Sequence, residues 1–233
     1  LRLQLFQPCY KSLKIINFYF GKIFLTQWRS FKLKVIVITA NTSWYLFNFR
    51  KNTILALIKN GFSVIAVSPR DSYSEKLIEI GCQYHDISID QNGTNPINDI
   101  KTIVLFYRIF KKSRPSVILN FTPKNNIYST LSGWLLGLPS INNIAGLGFL
   151  FVNESIPTKI ARSLYKFSQS KAKKIFFQNK DDRQLFIEKK LAPIDITDRL
   201  PGSGVDLTRF KVISKKNDGK VRFILIARML NDK

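Results

Sequence analysis

The chain has 233 residues, 45% of them hydrophobic and 13% aromatic, enough to build a real core and to exclude wholesale disorder. Lys and Arg number 37 against 15 Asp and Glu, a formal charge of +22, which favours anionic partners. Charge alone is the only feature pointing to nucleic acid, and no compact basic motif of a nucleic-acid-binding fold accompanies it, so that class is set aside.

Residues 1–31 form a basic, apolar extension. Lys11, Lys14, Lys22 and Arg29 interrupt every apolar stretch, and Ile15 to Gly21 is far too short to span a bilayer. No small-residue cleavage site follows, so the segment reads as an interfacial anchor or as translated upstream sequence rather than a signal peptide. The only methionine is Met229, which leaves the natural start open. No acidic residue precedes Asp71, while residues 1–70 hold eleven Lys or Arg, a distribution that suits an anionic membrane face or a plain solvated surface. Cys9 and Cys82 match no metal or redox spacing and read as reduced thiols.

The first strand is expected over 33–39, a continuous β-branched run suited to burial on both faces. A polar and aromatic loop follows. Residues 50–61 read as a helix, with Ile54, Leu55, Leu57 and Ile58 on its apolar face and Gly61 as its stop. A second buried strand over 62–69, a short helix near 73–80 and a third strand over 83–88 come next. The alternation continues with a helix from 95 ending before Pro115, a strand over 116–122, a helix over 125–137 and a strand over 140–145. Ile156, Ile160, Leu164 and Phe167 recur at helical spacing and mark a helix over 156–173. A strand over 173–179 and a helix over 181–191 complete the series.

This rhythm predicts an α/β fold, a Rossmann-like doubly wound parallel sheet over residues 32–200. Ligands of such sheets bind outside the carboxyl ends of the strands, so the loops at 40–48, 68–72, 121–126, 145–153 and 179–182 are the ones to watch. Residues 201–220, rich in Gly, Pro, Ser and charge, read as an interdomain linker, and 221–233 as the first strand of a second, truncated domain.

The first loop has no glycine-rich fingerprint, which argues against a dinucleotide cofactor. No Cys/His cluster suggests a metal, and no cofactor is expected. His85, alone at a strand end, reads as structural. Asn120, Thr122 and Lys124 fall at a strand's carboxyl end and offer either a polar, cationic lip for a sugar or phosphate, or a helix cap in which Pro123 takes the first turn. Gly146 and Gly148 follow the next strand as either an anion cradle or a tight turn. Lys159, Arg162, Lys166 and Lys173 flank the apolar stripe of the 156–173 helix, a pattern fit for phospholipid or a lipid-linked diphosphate and equally for a solvated basic face. Arg228 and Lys233 stand at a strand end and the loop after it, where two cations neutralise a diphosphate leaving group.

Six segments occur in the order of a known family: NFRKNTILALIKNGFSVIAVSP, NFTPKNNIYS, GLGFLF, FFQNKDDRQLF, LPGSGVDLTRF and RFILIARMLNDK. Over roughly residues 33–233 the chain resembles the family-4 retaining glycosyltransferases of GT-B fold. It is most similar to bacterial enzymes that extend undecaprenyl-diphosphate-linked glycans, such as N-acetylgalactosaminyltransferases. The resemblance implies an amino-terminal Rossmann-like domain for the acceptor and a carboxyl-terminal one for a UDP-sugar. It implies donor-diphosphate contacts from Arg228 and Lys233. Acceptor contacts are expected from Asn41, Arg50, Thr122, Lys124, Gly146 and Gly148.

Two departures follow. The loop after the fifth strand reads AGLG, so the histidine that many relatives carry there has no counterpart. The E-x7-E segment and the uracil and ribose sites would belong to sequence beyond Lys233, so no acidic catalytic pair is assigned and the chain by itself is expected to be inactive. The expected partners are a UDP-sugar, a glycan or lipid-linked glycan acceptor and an anionic membrane surface. The expected location is the cytoplasm, at the inner face of the membrane. The alternative reading is a non-catalytic module that binds membrane or glycolipid.

Overall fold

A computed structural model describes residues 34–90, 95–146, 156–200, 202–207, 209–211, 219 and 223–225, with the side chains of 156–159 and 161 outside that set. The elements in chain order are β1 (Val35–Thr39), α1 (Ser43–Lys59), β2 (Ser63–Ser68), α2 (Ser74–Glu79), β3 (Gln83–Asp86), α3 (Pro96–Ser113), β4 (Val117–Asn120), α4 (Pro123–Leu135), β5 (Ser140–Ile144), α5 (Ile156–Gln169), β6 (Lys174–Phe177), α6 (Lys180–Glu188), a 3-10 turn (Ile194–Ile196) and β7 (Thr197–Arg199). The seven strands form one sheet in the order β3-β2-β1-β4-β5-β6-β7, and every neighbouring pair is parallel. The doubly wound α/β expectation therefore holds.

Period-two alternation along the strands splits the core in two. Ile36, Ile38, Val64, Ala66, Val117 and Leu119 face α1 and α2, which contribute Leu46, Ile54, Leu57 and Leu77. Val37, Ile65, Val67, Ile118, Ile175 and Phe177 face α3 to α6, which contribute Phe106, Phe110, Ile127, Tyr165 and Phe186. Both faces are covered, as continuous apolar strands require.

Four expectations change. The loop expected over 40–49 is mostly helix, since α1 begins at Ser43. Its start is fixed by Thr42, whose hydroxyl accepts from Tyr45 N at 3.1 Å, and by Asp71, whose carboxylate accepts from Trp44 N at 2.9 Å. The helix expected to run to 173 ends at Gln169, because Ala172 turns into the core and the chain must enter β6 at Lys174. Residues 194–199, where no element was expected, form the 3-10 turn and the edge strand β7. Arg183 holds that strand by donating Nε to the Thr197 hydroxyl at 3.0 Å. In the run expected as a buried strand over 221–227, the described residues Phe223, Ile224 and Leu225 form no strand and are exposed. Their apolar side chains find no cover among the described residues.

Candidate functional site

Strand order reverses between β1 and β4: the chain builds outward from β1 to β3, then returns to place β4 on the other side of β1. The loops leaving the two strands diverge to opposite faces, opening a crevice at their carboxyl ends. Thr39 and Asn120 are register partners there, and the Thr39 hydroxyl donates to Asn120 Oδ1 at 2.7 Å.

From that pair a buried polar layer runs sideways beneath α4. Asn120 Nδ2 donates to Asn142 Oδ1 at 2.8 Å, and the Thr130 hydroxyl donates to the same oxygen at 3.0 Å. Asn142 Nδ2 donates to Gln169 Oε1 at 2.7 Å, and Gln169 Nε2 donates to the Asn126 carbonyl at 3.1 Å. Three strands and two helices are thus locked by side chains that are all buried. Net, each such bond contributes about 1 kcal/mol, while an orphaned group costs about 1–3 kcal/mol, so the layer acts mainly by forbidding alternative arrangements. Asn125 Nδ2, Asn126 Oδ1, Ser129 Oγ and Asn143 Oδ1 are buried without a partner in the same region. The polar layer extends the reading of Asn120 to Thr39, Asn142 and Gln169, which sequence reasoning did not single out. Of these only Asn142 left a sequence signal, an amide standing at a buried strand position.

The residues expected to bind acceptor are distributed unequally around the crevice. Asn41, half-buried, lies in the β1–α1 turn beside it. Arg50 is buried at 6% exposure on α1. Its guanidinium lies 4.2 Å from the centroid of Phe121, the residue that leaves β4, and Nη2 donates to the Tyr45 hydroxyl at 3.0 Å. Nε has no partner, and among the described residues no carboxylate pairs with it. Arg50 therefore braces the crevice wall from inside. Thr122 is the N-cap residue of α4 with Pro123 after it, but its hydroxyl donates to Asn125 Oδ1 at 2.7 Å instead of accepting a backbone bond. Lys124 is turned away, into a half-buried ion pair with Asp99 of α3 at 3.0 Å. Gly146 is exposed, uses no left-handed φ, and a Cβ there would meet nothing within 4 Å. Gly148, Arg228 and Lys233 lie outside the described residues. His85 sits on the edge strand β3, away from the crevice.

A second polar hub closes the β2 side. The Ser43, Ser68 and Ser74 hydroxyls meet at 2.8–2.9 Å, and the Tyr84 hydroxyl donates to the Ser68 carbonyl at 2.7 Å. Above it stand exposed aromatics, Trp44 edge-on to Phe49 at 5.5 Å. Burial raises Tyr128 well above the ordinary phenol range, reinforced by the adjacent Asp99 carboxylate, so it stays a neutral phenol beside Lys124. Among the described residues no group of His, Cys, Asp and Glu is arranged to hold a metal ion, and no helix is long and apolar enough to cross a membrane.

On the α5 side, Lys166 and Lys173 are exposed, Arg162 is half-buried, and Lys159 lies on the same helix. None of these stands at the β1–β4 crevice. Among the expected site residues whose side chains are described, Asn41, Arg50 and Thr122 thus lie around the crevice, while Arg162 and Lys166 lie on α5 and Lys173 just after it.

The chain is similar to known proteins in sequence and in fold. The Campylobacter jejuni N,N'-diacetylbacillosaminyl-diphospho-undecaprenol alpha-1,3-N-acetylgalactosaminyltransferase is 22% identical over 183 residues, 76% of this chain and 48% of its own. The chain thus spans about half the length of that curated relative. Among solved structures, a glycosyltransferase from Rickettsia africae superposes with a TM-score of 0.54 at 15% identity, covering 78% of this chain and 46% of its own. HepE of Anabaena, solved with UDP-glucose, gives 0.54 at 9% identity, covering 75% and 45%. The UDP-N-acetylglucosamine 2-epimerase of Rickettsia bellii gives 0.53 at 15%, covering 73% and 45%. At these identities the superpositions establish a shared fold and no more. Residues 34–179, which carry β1 through β6 and the whole crevice, match the family described as glycosyl transferase 4-like, and the chain belongs to that family.

Proposed function

We propose that the protein transfers a hexose or N-acetylhexosamine from a UDP-sugar to a polyprenyl-diphosphate-linked glycan, with retention of anomeric configuration. Residues 32–200 hold the acceptor, 201–220 link to the donor-binding domain, and 221–233 begin it. The work is done at the inner face of the cytoplasmic membrane. The observation that carries this reading is the family match laid over a complete crevice at the β1–β4 switch point. The similarity to a transferase whose name specifies an undecaprenol-linked acceptor supports the choice of acceptor.

In the proposed reaction the bond between the sugar's anomeric carbon and the UDP oxygen breaks. The acceptor hydroxyl bonds to that carbon on the same face, and its proton passes to the departing diphosphate. Arg228 and Lys233 stabilise the negative charge that develops on UDP. The crevice loops fix the acceptor hydroxyl, so catalysis rests on positioning and leaving-group electrostatics.

The test supplies the protein encoded by the whole gene with UDP-sugars labelled in the sugar and a polyprenyl-diphosphate-linked glycan. Label is expected in the lipid-extractable product, with the donor's anomeric configuration. An inverted product, or donor consumed without label entering lipid, overturns the reading. Acceptor binding without any turnover favours the non-catalytic module, the reading that the basic, apolar outer face of α5 supports.

A further inference from the structure

Helix α5 shows two different faces. Tyr165, Ser168 and Gln169 are buried against the sheet and α4. On the opposite side, Ile160, Leu164 and Phe167 are 58, 36 and 47% exposed. Their spacing puts them in one stripe along the helix. The stripe continues onto a second helix. Trp134 and Leu135, at the carboxyl end of α4, are 45 and 58% exposed, and the Trp134 ring meets Phe167 edge-on at 5.7 Å. Lys171 Nζ lies 5.1 Å from the Trp134 centroid and 5.2 Å from that of Phe167, a cation seated on the aromatic pair.

Isolated exposed apolar residues need no explanation, but five large ones contiguous across two helices do. The surrounding charge selects the occupant. Between Ile156 and Lys173 the sequence has Lys159, Arg162, Lys166, Lys171 and Lys173 and no Asp or Glu. Helix α4 carries one charged residue, Lys124. Trp, Phe and Leu beside Lys166, Lys171 and Lys173, on a helix lying flat against its domain, match the interfacial zone of an anionic bilayer. There rings sit at headgroup level, while ammonium groups reach phosphates.

We propose that the outer face of α5 and the end of α4, built from Trp134, Leu135, Ile160, Leu164, Phe167 and Lys171, docks the protein onto a bilayer rich in anionic phospholipid. Docking in this orientation sets the amino-terminal end of α5, which lies at the carboxyl edge of the sheet, beside the lipid surface. A lipid-linked acceptor would then reach the crevice without leaving the membrane. That last consequence rests on the proposed function; the docking surface does not.

The full chain is tested on vesicles of phosphatidylglycerol and phosphatidylcholine. Binding is expected to weaken with salt and to be lost on pure phosphatidylcholine. Leu164→Glu with Phe167→Glu, at exposed positions, is expected to abolish binding while leaving the circular dichroism and the urea midpoint close to those of the parent. Lys166→Ala with Lys173→Ala is expected to weaken binding about thirtyfold. Should the Glu variant misfold, a Trp28→Phe, Trp44→Phe chain leaves Trp134 as the only tryptophan, and brominated lipid is expected to quench its emission, excited beyond the tyrosine absorption band, on binding. Unchanged binding by the folded Glu variant, unquenched Trp134 on bound protein, equal binding to neutral vesicles, or a dimer closed through this face with no vesicle binding would each overturn the proposal. Transfer to a detergent-solubilised acceptor, measured on the Glu variant, separates the two readings. If docking alone is at stake, that activity survives.

Discussion

At the residue scale, Asn142 ties β4, α4 and α5 to its own strand β5 through one side chain. Its oxygen accepts from Asn120 and Thr130, and its amide donates to Gln169. Asn142→Leu is close in size but strands one Asn120 amide hydrogen and the Gln169 oxygen in a buried layer. The expected loss is about 2–4 kcal/mol, read as a lower urea midpoint with an unchanged m-value. Cys82 gives a pH signature instead. Burial pushes its thiol up to about 12 from 9.0. The unfolded chain therefore releases this proton from about pH 9 upward, while the folded chain keeps it. The unfolded state binds fewer protons in that window, so the contribution is fully present below pH 9 and declines as pH rises toward 12. Between pH 8 and 10.5 the parent is expected to lose more stability than Cys82→Ala. Equal losses in the two proteins would remove the basis for this assignment.

At the element scale, the strands were legible because runs such as residues 33–39 and 62–69 are continuously apolar, and only a sheet covered on both faces tolerates that. The start of α1 was not. Its buried stripe is Leu46, Arg50, Ile54 and Leu57, and the arginine hides the periodicity. Trp, Tyr, Phe and Asn also favour a helix weakly, so the segment up to Phe49 looked like loop. What starts the helix is partly tertiary: Asp71, 27 residues away, supplies the carboxylate that receives Trp44 N. Strand β7 was illegible for a similar reason, since the sequence Thr-Asp-Arg has no apolar signal and its pairing comes from β6. The site divided likewise. The switch-point loops followed from strand alternation, but Lys124's capture by Asp99 and Arg50's burial over Phe121 depend on contacts that no local pattern encodes. Helix α4 offers a test of packing against propensity. A Cβ on Gly133 would lie 2.7 Å from Ile118 Cδ1 and 3.3 Å from the Leu138 carbonyl. Ala gains about 1 kcal/mol of helix propensity over Gly, yet forcing a methyl into β4 costs about 1–3 kcal/mol. The carbonyl is backbone and has no rotamer to escape into, so Gly133→Ala is expected to destabilise, as a fall in melting temperature of a few degrees.

At the scale of the whole molecule, one sheet order places two distinct surfaces on different sides of the same domain. The reversal between β1 and β4 opens the crevice at one edge, while α5 and the end of α4 present the apolar, basic face farther along. The two should respond separately to ligands. In the proposed transferase, the glycan part of the acceptor lies across the β1–α1 and β4–α4 turns, and the donor is held by residues from Arg228 onward. Hydrogen exchange on the whole protein is therefore expected to slow at amides of 40–45 and 121–126 when the lipid-linked acceptor is added in detergent. UDP alone should leave those amides unchanged. Arg228→Ala should reverse the pattern in activity, lowering kcat/KM for the UDP-sugar about a hundredfold without altering acceptor protection, because a cation on the leaving group acts in the transition state. Protection at 40–45 by UDP, or none there by acceptor, would move the acceptor out of the crevice. The buried layer of Thr39, Asn120 and Asn142 would then be structural reinforcement beneath an edge that binds something else.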